Sequence, residues 1–245
     1  MTSHPNPENI CIIGAGDGGI VREVLKHNPK HVIHAELDEG VVNASKQYFP
    51  SIHANCWEDP RVRLEIGDGR QFLEDTEDKF DVVIMDMTDP FGPATMLYTQ
   101  EFFNTVKSTF RDENSMFVMH AESTVTNPRT FQQITHTLGQ VFPSLSFCHL
   151  YVQMYSTLWS IAIASNTPLV DKTPQDLLQT RLNDRGISGL QAYSPTSHYA
   201  MQAGFPFIDT LRETANELPL ITDAHSEFLD EAEMDASLLN ERLNP

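Results

Sequence analysis

Short apolar runs at 10–14, 31–36, 61–66, 80–86 and 115–121 alternate along the chain with stretches of helical period at 18–27, 39–47, 69–75 and 99–110. Such alternation predicts βαβ units and therefore an α/β fold around a mostly parallel sheet. After a helix expected over 129–140 come two more apolar runs, 145–153 and 157–165. The link between them is too short for a crossover, so they predict an antiparallel hairpin at the sheet edge. Beyond Asn166-Thr167-Pro168 the chain turns polar and helical, with Pro174, Pro195, Pro206 and Pro219 dividing it into short segments. The expected organisation is a Rossmann-like domain over 1–167 with a helical extension over 168–245 packed on it. The acidic stretch with Asp223, Glu227, Asp230, Glu231, Glu233 and Asp235 reads as a solvated helix or frayed tail.

At 245 residues and 40% hydrophobic content, the chain can bury one full core. No apolar run approaches the roughly 20 residues needed to span a bilayer, and the start lacks the pattern of a signal peptide. The expectation is a soluble cytoplasmic protein. Cys11, Cys56 and Cys148 are odd in number and widely spaced, which fits reduced thiols better than a disulfide framework or a zinc site. The formal charge of −18 repels nucleic-acid phosphates and anionic membranes, and it attracts small cations.

The first strand runs into Gly14-Ala15-Gly16-Asp17-Gly18-Gly19 and then a helix, with Glu36 closing the second strand. Glycines allow a tight turn and close ligand approach, and a carboxylate at that strand end can accept both ribose hydroxyls. The pattern suits adenosine ligands in general. Asp17, however, lies where a dinucleotide pyrophosphate would meet the helix start, and a carboxylate there favours a cation such as a sulfonium compound. The third strand ends in Gly67-Asp68-Gly69 and the fourth in Asp86-Met87-Thr88-Asp89-Pro90. Asp17, Glu36, Asp68, Asp86 and Asp89 thus border the crevice at the carboxyl ends of the strands, where open α/β sheets bind ligands. Each alone reads equally well as a turn former or helix cap. Asp86 and Asp89 suit either Mg²⁺ or an alkylammonium whose proton they remove, and the residues leave both open.

Taken together, Gly-Ala-Gly-Asp-Gly-Gly with Ile20 to His27, Glu36-Leu37-Asp38, Gly67-Asp68-Gly69 and Asp86-Met87-Thr88-Asp89-Pro90-Phe91-Gly92-Pro93-Ala94 resemble the spermidine synthase family of polyamine aminopropyltransferases. Ala121-Glu122-Ser123, Tyr155 before Leu158-Trp159, and Tyr193 to His198 extend the likeness. It implies a class I methyltransferase-like fold and transfer of an aminopropyl group from decarboxylated S-adenosylmethionine to a diamine, releasing 5′-methylthioadenosine. By that resemblance Gly14, Gly16 and Gly69 shape the donor site, Glu36 holds the ribose, Asp68 the adenine amino group and Asp17 the donor's ammonium. Asp86 corresponds to the general base, and Asp89 and Tyr155, with Trp159 nearby, to acceptor-side residues. No metal and no tightly bound cofactor is implied. The partners expected are a small cationic amine and the adenosyl sulfonium donor, with no nucleic acid and no membrane.

The chain also departs from the family pattern. His4-Pro5-Asn6-Pro7 already matches the segment before the first sheet strand, so the family's N-terminal β-rich domain is expected to be missing and the usual dimer through it is disfavoured. Ala15 stands for a usual Gly, Met87 for a small polar residue and His120 for a Gln, and the Tyr155–Trp159 segment is one residue short. Two other readings stay open: a methyltransferase using ordinary S-adenosylmethionine, and a nucleoside-binding subunit that needs a partner. The mapped donor site shows no Lys or Arg for a donor carboxylate, which favours the decarboxylated donor.

Overall fold

The computed structural model describes residues 1–229, so Asp230, Glu231, Glu233 and Asp235 of the acidic stretch lie outside the described residues. Seven strands, β1 (Asn9–Gly14), β2 (His31–Glu36), β3 (Val62–Ile66), β4 (Val82–Asp86), β5 (Met116–Ser123), β6 (Ser144–Val152) and β7 (Thr157–Ser165), form one sheet in the order β3-β2-β1-β4-β5-β7-β6. β1 to β5 are parallel, and β7 runs antiparallel to both β5 and β6. The predicted α/β fold and edge hairpin are both present.

The helices are α1 (Gly19–Leu25), α2 (Glu39–Tyr48), α3 (Pro50–His53), α4 (Gly69–Asp75), α5 (Gln100–Ser108), α6 (Pro128–Val141), α7 (Leu169–Lys172), α8 (Gln175–Asp184), α9 (Pro195–Gln202) and α10 (Pro206–Glu213). Short 3₁₀ turns sit at Cys56–Glu58, Gly92–Leu97 and Ala215–Glu217. The apolar run of β1 is unbroken because both faces of the sheet are covered. Ile10 and Ile12 pack with Val21, Val24 and Val32 on one face. Cys11 and Ile13 belong to the larger core on the other, with Phe102, Phe117 and Phe131.

Two local differences from the sequence reading matter. Strand β5 runs two residues beyond the expected 121, because Ser123 pairs with Trp159 after a register shift following His120. The bulge carries Glu122 at φ 66, and bulges at sheet ends re-aim side chains.

The segment after 168 forms short helices with Pro195 and Pro206 in their first turns, where the missing N–H costs nothing. It is fastened to the sheet domain at several points. Arg181 and Arg185 donate to the carbonyls of Thr2, Ser3 and His4, and Gln132 donates to the Leu211 carbonyl. Asp223 departs from the solvated-tail expectation. It takes two bonds from the Arg70 guanidinium, at 2.9 and 2.6 Å, and one from Thr99 Oγ1 at 2.6 Å. Arg70 supplies the counter-charge that holds this carboxylate in place and lowers its pKa.

Asp223→Ala is therefore expected to destabilise the protein by about 1 kcal/mol, the upper range for a half-exposed pair. A depressed carboxylate pKa contributes stability at neutral pH that disappears as pH falls. The gap between wild type and variant in urea denaturation should accordingly close below about pH 4.

Candidate active site

The site is built outward from the end of β1. Gly14 pairs in register with Asp86, and the Ala15 amide donates to the Asp86 carbonyl at 2.8 Å. A Cβ on Gly14, whose φ is 77°, would lie 2.1 Å from that carbonyl oxygen, so only glycine fits there. Ala15 follows at φ 58, a region uncommon for residues with a side chain.

Below the loop, buried His34 bonds the Gly14 carbonyl through Nε2 at 2.6 Å, while Trp57 Nε1 donates to its Nδ1 at 3.0 Å. An indole can only donate. Nδ1 is therefore the acceptor, and the proton sits on Nε2 facing the loop. Burial lowers the His34 pKa and keeps the ring neutral. This brace escaped the sequence reading, because nothing in the sequence around 34 or 57 announces a contact between them.

Asp17 is exposed beside the loop, and its Oδ1 accepts the Gly19 amide at 2.8 Å. It thus satisfies the first amide of α1 while remaining open to a ligand. Glu36 is buried at the end of β2, where its Oε1 accepts the Asp38 amide at 3.0 Å. Its Oε2 lies so near the loop that a Cβ on Gly16 would come within 2.8 Å of it. Asp68 Oδ1 caps α4 by accepting the Arg70 and Gln71 amides, and Gly69 packs on Ile13. A depression of about 360 Å³ borders Asp68, between Ala35, Glu65, Gln71 and Phe72.

The nearby cations are engaged elsewhere. Arg70 is held by Asp223, Glu74 and the Met96 carbonyl, and Arg22 by Glu23 and the Ile52 carbonyl.

Asp86 ends β4 and is exposed. Partial loss of hydration at the crowded strand end, together with the Asp17 charge, raises its pKa above the usual aspartate value. Asp89 faces the end of β5, where Glu122 is fully buried. Burial first, and the Asp89 charge second, push the Glu122 pKa up to about 7. Glu122 Oε2 accepts from Asn127 Nδ2 at 3.0 Å, and its Oε1 has no partner.

His120 is held through Nε2 by the Tyr98 hydroxyl at 2.8 Å and stacks on Trp159 at 5.7 Å. Trp159 in turn packs on Tyr155 at 4.9 Å, and Tyr155 is 57% exposed on the hairpin turn rather than buried as a core aromatic. Asp89, His120 and Glu122 each present one potential metal-ligand atom, all within 4.8 Å of one another. The structure thus brings Asp17, Glu36, Asp68, Asp86 and Asp89 to one sheet edge, with Tyr155 and Trp159 on the neighbouring hairpin. Tyr98 joins them without having been singled out in the sequence. Glu122 also joins them; it was hidden in an apolar strand and was marked only as part of the resemblance around Ala121-Glu122-Ser123.

Sheet order and strand-end chemistry define a methyltransferase-like α/β domain with a carboxylate-lined crevice. The spermine/spermidine synthase domain family matches residues 1–174, and the chain belongs to that family. It is 37% identical to a polyamine aminopropyltransferase of Korarchaeum cryptofilum over 91% of this chain and 68% of that protein. A second polyamine aminopropyltransferase, from Nitrosomonas europaea, is 32% identical over 85% of this chain and 64% of its own length. The chain therefore spans about two thirds of these relatives. Among solved structures, a spermidine synthase in complex with the transition-state analogue AdoDATO superposes with a TM-score of 0.79 at 28% identity, covering 86% of this chain and 71% of that one. The spermidine synthase of Thermotoga maritima gives 0.76 at 26% identity, covering 86% and 70%. No helix among the described residues is long and apolar enough to cross a membrane.

The His34 brace sets an expectation for Trp57→Phe, which keeps an aromatic ring but leaves the buried His34 Nδ1 without its donor. A buried acceptor left unsatisfied costs about 1–3 kcal/mol. Thermal denaturation of the folded variant should show a loss of that order.

Proposed function

We propose that this protein transfers the aminopropyl group of decarboxylated S-adenosylmethionine to a primary amine of a diamine, with 5′-methylthioadenosine as the second product. The observation that carries the reading is the direct pairing of Gly14 with Asp86. It sets a carboxylate of raised pKa beside the loop that would hold the adenosyl donor.

In this reading Glu36 accepts the ribose hydroxyls, the free oxygen of Asp68 takes the adenine amino group, and Asp17 takes the donor's ammonium. Gly14 and Gly16 let the donor approach the backbone. The amine lone pair attacks the propyl carbon bound to sulfur. The C–S bond breaks with its electrons going to sulfur, which leaves a neutral thioether, and the new N–C bond forms. An amine can attack only as the free base, whereas diamines are protonated at neutral pH. Asp86 accepts the proton that the nitrogen gives up, and its raised pKa suits a proton acceptor better than an ordinary aspartate would. Asp89 and Tyr155 orient the acceptor, with Trp159 backing Tyr155.

The engagement of the guanidinium groups of Arg22 and Arg70 by other partners supports a donor without a carboxylate. No step requires a metal or a redox group. The names of the family relatives support the same chemistry.

Asp86→Asn keeps shape but removes basicity. Turnover at saturating donor should fall about 10²–10⁴-fold, while affinity for 5′-methylthioadenosine by calorimetry changes little. Turnover near that of wild type would remove Asp86 as the proton acceptor. Glu36→Ala should instead weaken 5′-methylthioadenosine binding, at about 1.5–3 kcal/mol per lost charge-assisted bond. Unchanged affinity in a folded variant would exclude Glu36 from the ribose site.

A further inference from the structure

Asp89, His120 and Glu122 bring a nitrogen and two carboxylates together at the end of β5. A ring nitrogen of His120 and one carboxylate oxygen from each acid lie within 4.8 Å of one another. His120 is 7% exposed and Glu122 is 0% exposed, yet His120 Nδ1 and Glu122 Oε1 have no hydrogen-bond partner. Buried polar atoms are nearly always partnered, and such orphans call for an ion, a water or a ligand.

The Tyr98 hydroxyl lies 2.8 Å from His120 Nε2 and 3.2 Å from the Thr88 carbonyl and holds the ring in place. With the proton on Nε2, the lone pair of Nδ1 is open to a metal.

We propose that Asp89, His120 and Glu122 form a binding site for a divalent transition cation of the zinc class. One imidazole with two carboxylates is a donor set for Zn²⁺ and its first-row neighbours, and it is a poor one for Mg²⁺, which prefers oxygen throughout. Metal–ligand distances near 2.0–2.2 Å place paired ligands about 3–4 Å apart. A small swing of exposed Asp89 therefore closes the site. The ligands are also braced from behind as metal ligands commonly are, His120 by Tyr98 and Glu122 Oε2 by Asn127 at 3.0 Å. A cation between Asp89 and Glu122 relieves the repulsion between two carboxylates held near each other.

Because Asp89 belongs to the acceptor side in the reading above, metal and amine would exclude each other. That competition rests on the proposed function, whereas the site itself does not.

The test titrates Co²⁺ into the full chain and follows the visible absorption bands of the bound ion, with Zn²⁺ as competitor. Wild type should bind one Co²⁺ and release it to Zn²⁺. His120→Gln and Glu122→Gln, checked for native circular dichroism, should each weaken Co²⁺ binding at least tenfold. No bound-state spectrum in wild type, or affinity unchanged in both folded variants, would overturn the site. Adding 1,4-diaminobutane should raise the apparent Co²⁺ dissociation constant. Metal binding that is lost in the variants but indifferent to the diamine would uphold the site and place the acceptor amine away from Asp89.

Discussion

The bond from the Ala15 amide to the Asp86 carbonyl is the constraint on which the crevice depends. It closes the glycine loop against the end of β4, and it works only because residue 14 has no Cβ to meet that carbonyl. From this joint the donor loop runs one way, to Asp17 and α1, and the Asp86–Asp89 segment runs the other. The two halves of the proposed reaction are therefore built on neighbouring strands of one sheet rather than on separate elements. Their relative position is fixed by ladder hydrogen bonds. The His34–Trp57 brace holds the same loop from beneath, so its backbone is fixed before any ligand arrives.

Electrostatics follow from this geometry. A parallel sheet brings its strand ends to one edge, and here those ends carry Asp17, Glu36, Asp68, Asp86 and Asp89 without a free cation from Arg22 or Arg70. Burial raises the pKa of Asp86 and of Glu122, and the nearby charges of Asp17 and Asp89 respectively add to it. The strain of that arrangement is relieved by positive charge. A sulfonium donor with an ammonium tail and a polyamine acceptor both supply it. The metal site inferred at Asp89, His120 and Glu122 draws on the same deficit at the far end of the crevice.

The βαβ series was legible because its signals are local. Unbroken apolar runs such as Ile10 to Ile13 and the helical period of 129–140 are set by residues a few positions apart. The glycine loop and the carboxylates after the strands were legible for the same reason, although Asp17 and Asp68 also satisfy amides at helix starts and would look alike without a ligand site. What could not be read depends on distant pairs. Asp223 looked like one more solvated acid until Arg70, 153 residues earlier, gave it a partner. Glu122 and His120 lie in an apolar strand, and their character comes from Asp89, Tyr98 and a bulge that no local pattern predicts. Tyr155 differs in another way: the resemblance put it on the acceptor side, but only the structure shows that the turn between β6 and β7 holds it in solvent against Trp159.

The Arg70–Asp223 pair also changes what the end of the described chain means for the crevice. Arg70 follows Asp68 and Gly69 directly, and its guanidinium reaches the Met96 carbonyl in the 3₁₀ turn over Gly92–Leu97. Asp223 keeps that guanidinium occupied. Without Asp223, Arg70 would keep only Glu74 and the Met96 carbonyl as partners, two residues from Asp68, and Thr99 Oγ1 would lose its carboxylate partner. Asp223 thus neutralises positive charge beside Asp68, in keeping with the cationic ligands proposed for the crevice.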